Sequence, residues 1–405
     1  MSNLRQLFLK HVAQTSDEPI LLEISNAEGV WLIDHEGKKY LDLISGIGVS
    51  GLGHCHPNVV AAVQEQVATY MHTLVYGEYI MSPQVRLAEL LVQQLPSKLN
   101  SVYFVNSGSE ATEGAMKLAK RYTQRSEIIA GRYAYHGSTQ GSASLMSPTE
   151  FTQAYHPLLP GINHIEFNCE QCIRRITTKT ACVILETVQA EWGVRPPINN
   201  FLKKIRQRCD EVGALLILDE IQVGYGRTGT LWAFEQFDVV PDILLLAKGM
   251  GGGMPIGAFV SDQKIMNSFT HNPVLGHITT FGGHPVSCAA ALATLETLLN
   301  TNYIQKVKEK EILFKSLLKH PKILDVRSHG LLMAVELWDY DTMKAVQKVA
   351  LENGVVTDWF LFNARSLRIA PPLIITEEEI RFACEVIIEA LDNIEKHNEH
   401  LGMMK

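Results

Sequence analysis

The sequence predicts an α/β protein: a large domain with a mainly parallel sheet flanked by helices, plus a small α+β domain formed by the N- and C-terminal segments. Three observations predict it. Across residues 102–247 short apolar runs alternate with helix-periodic stretches, the texture of parallel strands joined by crossover helices. Two of those runs, 214–218 and 242–247, are continuous rather than alternating, as strands buried on both faces are. From His284 onward the chain changes to long helices broken by two strand-like stretches.

Taken in order, residues 20–45 alternate apolar and polar side chains around the turn Asp34-His35-Glu36-Gly37, so GVWLIDHEGKKYLDLI reads as an antiparallel hairpin. After the glycine-rich SGIGVSGLGHCHP, apolar periodicity predicts helices over 57–70 and 82–95, the second with Ser82 as N-cap and Pro83 at its first position. The strand VYFV, a helix over 109–123, EIIA, the strand CVILE ending at Glu186, and a helix over 200–211 lead to ALLIL and DILLLA. The first of these closes on Asp219 and Glu220, the second on Lys248 and the loop GMGGGMPIGA. Beyond it come helices over 285–299, 303–320, 342–353 and 376–396, with ILDVRSHGLLMAVEL and LRIAP as strand-like interruptions. The division drawn from this is an N-terminal segment 1–50 packing with the small domain, a large domain 51–290, and a C-terminal small domain 291–405. There is no internal repeat or low-complexity linker.

With 405 residues, 46% of them hydrophobic and 20% charged, the chain has material for a large core and two or three folding units. Its formal net charge of -7, spread along the chain, offers no basic patch for nucleic acid. No run reaches membrane-spanning length, and MSNLRQLFLKHVAQTS reads as an amphipathic helix rather than a secretory signal. A cytoplasmic location is the expectation. Seven scattered cysteines fit reduced thiols better than a disulfide framework, and Cys169 with Cys172 make the lone CxxC. Without a second CxxC or a spaced histidine pair, no metal site is expected.

The chemistry is expected where ALLIL and DILLLA end. In an open parallel sheet the ligand crevice lies beyond the carboxyl ends of the strands, so Asp219 and Lys248 both belong to it. A lysine in a dry pocket has a lowered pKa and condenses with an aldehyde as a Schiff base. A carboxylate on a neighbouring strand is what a pyridine cofactor needs to keep its ring nitrogen protonated. Taken alone, Lys248 is equally a lysine opening a loop, and Asp219 equally an N-cap. The third element is NSGSEATEGAMKLAKRY, where Gly108 and Ser109 open a helix with unpaired backbone N–H groups, an anion site suited to phosphate and also an ordinary capped helix start. It lacks the spacing of a Walker loop, and no glycine segment spells a dinucleotide fingerprint in the right context.

Lysine, ring-nitrogen carboxylate and phosphate cup together describe pyridoxal phosphate. The chain resembles the class III (omega, or ornithine-type) aminotransferases of PLP fold type I. The resemblance rests on LILDEIQVGYGRTG followed by PDILLLAKGMGGGMPIGA, with NSGSEA, YHG, ETVQAE, TTFGGHP and LRIAPPL around them in the family's order. It implies that Lys248 holds the cofactor as a Schiff base, that Asp219 pairs with the pyridinium nitrogen, and that Gln222 bonds the phenolic oxygen. Gly108 and Ser109 are implied as phosphate donors and Tyr135 as the ring-stacking residue. Ser107 and His136 join the same cofactor set, and Glu186 stands close behind, near Asp219 or Gln189. Thr280 is implied to reach the phosphate of a neighbouring subunit, hence a homodimer with shared active sites. On the substrate side the resemblance implies that Arg368 receives a carboxylate and that Glu191 can pair with Arg368 and take it out of use.

Two positions depart from the family. Acetylornithine and ornithine enzymes usually have an arginine right after the aromatic-X-Gly motif, whereas Tyr135-His136-Gly137 is followed by Ser138. Trp192 stands where a small residue is common, and an indole there would narrow the pocket or stack on an apolar substrate. Both point away from acetylornithine. The expectation is a transaminase moving an amino group from an amino acid or ω-amine donor to a 2-oxo acid by a ping-pong mechanism, with neither membrane nor nucleic acid as partner. Its rivals are a glutamate-1-semialdehyde-type aminomutase or a racemase, an acetylornithine or 4-aminobutyrate transaminase proper, and a catalytically silent binding protein. The intact Lys248 and Asp219 argue against the last.

Overall fold

The computed structural model describes residues 3–402. Its centre is a seven-stranded sheet made of β4 (Ser101–Val105), β5 (Glu127–Gly131), β6 (Ile162–Ile165), β7 (Thr180–Glu186), β8 (Leu215–Asp219), β9 (Ile243–Ala247) and β10 (Gly257–Ser261), in the order β4-β10-β9-β8-β7-β5-β6. The pairs β5–β6, β5–β7, β7–β8 and β8–β9 are parallel, and β10 runs against both β9 and β4. All residues of β7, β8 and β9 are buried, which is why their sequences are continuous apolar runs. Asp219 and Glu186 are the last residues of adjacent strands and lie opposite each other in register. The sheet therefore delivers a row of polar groups to one edge.

Two smaller sheets complete the molecule. The N-terminal strands β1 (Ile24–Glu28), β2 (Trp31–Asp34) and β3 (Lys39–Asp42) form one with β13 (Val355–Val356), which pairs with β3 in parallel. The other joins β11 (Asp325–Ser328), β12 (Met333–Glu336), β14 (Asp358–Phe360) and β15 (Asn363–Ile369), antiparallel in the order β11-β12-β15-β14. The ends of the chain thus share the small α+β layer while the middle builds the large sheet. Buried Arg227 ties the layers, donating from Nη1 to the Leu331 carbonyl at 3.0 Å and to the Pro371 carbonyl.

Two local expectations are corrected. Met81, without a side-chain cap bond, is the N-cap of the helix Ser82–Gln93, so Ser82 is already helical. Cys169 and Cys172 are joined in a disulfide, where reduced thiols were expected; they flank a single tight turn with Cα atoms 5.4 Å apart, within bridging reach. The other five cysteines are free. Among the described residues no helix is long and apolar enough to cross a membrane, and no cluster of three or more His, Cys, Asp or Glu has metal-holding geometry.

Candidate active site

A cavity of about 400 Å³ opens at the carboxyl edge of the central sheet. Its wall takes Ser107, Gly108 and Ser109 from the turn after β4, Tyr135 and His136 from the loop after β5, Glu186 from β7, Asp219 and Gln222 from the end of β8, and Lys248 from the end of β9. Residues as far apart as Ser107 and Lys248, 141 positions, meet there because parallel strands end side by side.

Each group is held. Asp219 is buried; its Oδ2 accepts from His136 Nδ1 at 2.7 Å and its Oδ1 accepts the Ile221 N–H at 2.9 Å. Lys248 has a backbone φ of 47°, in the left-handed region that non-glycine residues seldom occupy, and its Nζ donates to Gln222 Oε1 at 3.3 Å. Burial pushes the Lys248 amine below its ordinary value, opposed by the Glu191 charge. Burial, and after it the charge of Asp219, pushes Glu186 well above the usual carboxylate range.

The helix Gly108–Thr123 begins at the cavity, with Ser107 as N-cap accepting the Glu110 N–H at 3.2 Å. Glu110 in turn accepts from the backbone and side-chain amides of Asn106 at 2.7 and 2.8 Å. Ser109 Oγ accepts the Ser138 N–H at 3.2 Å, so the two loops over the helix start are tied together. The first N–H groups of this helix have no intrahelical partner and face the cavity end, a positive pole.

Three buried polar atoms on cavity-lining residues lack a hydrogen-bond partner: His136 Nε2, Glu186 Oε2 and Gln222 Nε2. Buried polar groups in folded proteins are nearly always paired, so the cavity is built for a polar molecule. An aldehyde beside Lys248, a ring nitrogen for Asp219, a polar ring edge for Gln222 and an anion at the helix start are the demands of this donor set. Pyridoxal phosphate meets them all.

The expected substrate residues lie outside this wall. Arg368 and Glu191 form a buried bidentate pair, Nη1 to Oε1 and Nη2 to Oε2 both at 2.8 Å. Their charges act on Lys248, which places them close to the cavity. Trp192 stacks on Tyr133 at 4.8 Å between centroids, with the Arg195 guanidinium 5.1 Å from its ring. Ser138 Oγ is 2.8 Å from the Tyr135 hydroxyl. Thr280 is exposed and lines no part of the cavity. Its neighbour Thr279 accepts from Asn106 Nδ2 at 3.0 Å, so the segment touches the rim. Sequence reasoning missed Asn106 and Val49 in the wall, and Asp358 beside Arg368. The signal for Asn106 was its place just before the Ser107 cap, and for Val49 the glycine-rich loop that carries it; Asp358 had none.

A family model, aminotransferase class-III, matches residues 12–391. The acetylornithine aminotransferase of Methanopyrus kandleri is 40% identical over 386 residues, covering 94% of this chain and 96% of its own. The putrescine aminotransferase of Pectobacterium atrosepticum is 40% identical over 386 residues, covering 91% of this chain and 81% of its own. Among solved structures, the ornithine aminotransferase of Toxoplasma gondii superposes with a TM-score of 0.90 at 29% identity, covering 97% of this chain and 95% of the other.

Proposed function

The chain belongs to the aminotransferase class-III family and is a pyridoxal-phosphate-dependent transaminase of fold type I, and we propose that its amino donor is a primary ω-amine without an α-carboxylate, a diamine foremost. The single observation that carries the donor class is Ser138. Where acetylornithine and ornithine enzymes usually offer an arginine, this chain offers a hydroxyl already bonded to Tyr135 and a backbone N–H already bonded to Ser109. Neither can neutralise a carboxylate as a guanidinium fork does. The acceptor is a 2-oxo acid whose carboxylate meets Arg368 once Glu191 withdraws.

When bound, pyridoxal phosphate supplies an aldehyde that condenses with primary amines and a protonated ring that takes up the electron pair of a broken C–H bond. Ser107, Gly108 and Ser109 would hold its phosphate, Asp219 its ring nitrogen and Gln222 its phenolic oxygen, with Tyr135 against the ring. His136 keeps Asp219 aimed. Lys248 Nζ, whose burial lowers its pKa and so favours the free amine, would be the group that accepts and returns a proton at the donor carbon. Thr280 serves the phosphate of a partner subunit, so the working unit is a homodimer with shared sites, in the cytoplasm.

The second reading, an acetylornithine transaminase proper, is favoured by the name of the Methanopyrus kandleri relative. A panel of diamines, ω-amino acids and α-amino acids with pyruvate or 2-oxoglutarate, followed by the cofactor spectrum, tests both. Diamines are expected to discharge the lysine-bound form fastest. A clear preference for acetylornithine would reverse the donor assignment, and turnover with no separate acceptor would point to an aminomutase.

A further inference from the structure

Arg368 is shared by two carboxylates, and only Glu191 was legible in the sequence. Asp358 lies directly opposite Arg368 in the β14–β15 register, with Oδ1 3.0 Å from Nε. The Nε–H does not point at that oxygen, and neither atom has another hydrogen-bond partner. The contact is Coulombic, not a lined-up hydrogen bond. The orientation of the guanidinium comes from elsewhere: Nη2 donates to the Trp359 carbonyl at 3.1 Å and Cζ sits 4.4 Å from the Phe360 ring centre.

Glu191 is held more firmly. Besides both Nη groups of Arg368, its Oε2 accepts the Leu361 N–H at 3.0 Å, and its backbone carbonyl accepts the Phe362 N–H at 3.1 Å. Burial is the largest influence on Glu191 and works against its charge, but Arg368, Lys248 and the Leu361 N–H together leave the carboxyl below its ordinary value. Asp358, on the same arginine, is pushed up to about 6 by burial, which Arg368 only partly offsets. Glu191 thus takes most of the guanidinium, and Asp358 stands by.

This arrangement matters when Glu191 lets go. Arg368 is a 2% exposed cation, and removing the sole partner of a buried charge is strongly unfavourable because the charge is left uncompensated. Asp358 removes that obstacle. We propose that Asp358 is the standby counter-ion of Arg368, holding its charge while Glu191 withdraws and so setting how readily the site turns from an amine to an acid. The inference rests on the reading of Glu191 and Arg368 as an exchangeable acid-end pair. With Glu191 in place the three groups sum to one negative charge, which suits an amine. With Glu191 out, Arg368 and Asp358 are neutral together and one incoming carboxylate restores the starting charge.

The test is a pair of backgrounds in the holoenzyme. Asp358→Asn is made with Glu191 present and with Glu191→Ala. Stopped-flow mixing of the aminated enzyme with 2-oxoglutarate gives kcat/KM of the acid half-reaction, and calorimetry gives the affinity for glutarate, an unreactive dicarboxylate. With Glu191 present, Asp358→Asn is expected to lower the acid-half kcat/KM about tenfold relative to the amine half, because the exchange now passes through a bare buried cation. With Glu191→Ala, the same change is expected to tighten glutarate binding and raise kcat/KM, because the arginine then shows its full charge. A change of the same sign in both backgrounds overturns the inference, and a general loss of fold counts against it in that way. If Glu191→Ala alone leaves the acid half-reaction unaltered, the exchange reading itself fails and the role of Asp358 falls with it.

Discussion

Two carboxyl groups end adjacent strands in one water-poor site, and only one of them is supplied for charge. Asp219 accepts from His136 and Ile221, whereas Glu186 leaves Oε2 without a partner. Burial and the neighbouring charge then push Glu186 well above the usual carboxylate range, the direction that like charges in close quarters impose. Glu186→Gln, which fixes the neutral state, is expected to hold kcat within about threefold, while Asp219→Asn loses about a hundredfold or more by removing the charge that faces the ring. Stability follows the same logic. A carboxyl raised in the folded state binds a proton that the unfolded chain has released, so its contribution falls as pH rises between the unfolded and folded values. Melting scans from about pH 5 to 8 should therefore show wild type losing ground to Glu186→Gln as pH rises. Parallel curves would mean that Glu186 is ionised throughout.

At the level of elements, the cofactor end of the helix Gly108–Thr123 depends on a strand that the sequence hid. Gly257 opens β10 opposite both Val105 and Ala247, and a Cβ there would stand 2.3 Å from the Ser107 carbonyl. Gly257→Ala must push the phosphate-binding turn aside; a cofactor affinity about tenfold weaker and a loss of about 1–3 kcal/mol in stability are expected. Gly51→Ala, which meets nothing within 4 Å, is the control, and equal titrations of both variants with pyridoxal phosphate would refute the argument. The strands β7, β8 and β9 were legible because burial on both faces writes a continuous apolar run. The helix start was legible because its cap is local chemistry. β10 was not, since its first residue belongs to a glycine-rich loop, and neither was β13, two residues long with a partner 314 positions away at Val355 and Leu41. The fold class came from buried runs alternating with helices, and the cofactor from Asp219, Lys248 and the helix start at Gly108, with the rest of its set implied by the family resemblance. Asp358 was invisible, because cross-strand register to Arg368 decides its role and no periodicity announces it.

On the scale of the whole molecule, the segment that touches the cavity rim through Thr279 also carries exposed apolar residues. Segments 71–81 and 274–281 meet where the rings of His72 and Phe281 lie tilted against each other, 4.9 Å between centroids, and they leave Ile80 93%, Val274 73% and Phe281 53% exposed. The homodimer proposed above would give these exposed apolar residues a partner to cover them. Thr280 lies within it, exposed, one residue from the Thr279 that touches the rim of its own cavity. If each site needs the threonine of the other chain, two different dead proteins should repair each other. Lys248→Ala lacks the amine but keeps Thr280; Thr280→Glu keeps the amine but sets a negative side chain against the partner's phosphate. Each homodimer carries two defective sites. In a mixed dimer, one site combines Lys248 of one protomer with Thr280 of the other and is whole, while the second site carries both lesions. Random exchange makes half the dimers mixed, so co-refolded protein is expected to recover about a quarter of wild-type activity. Activity no greater than the sum of the separate variants would show that Thr280 acts within its own chain or not at all.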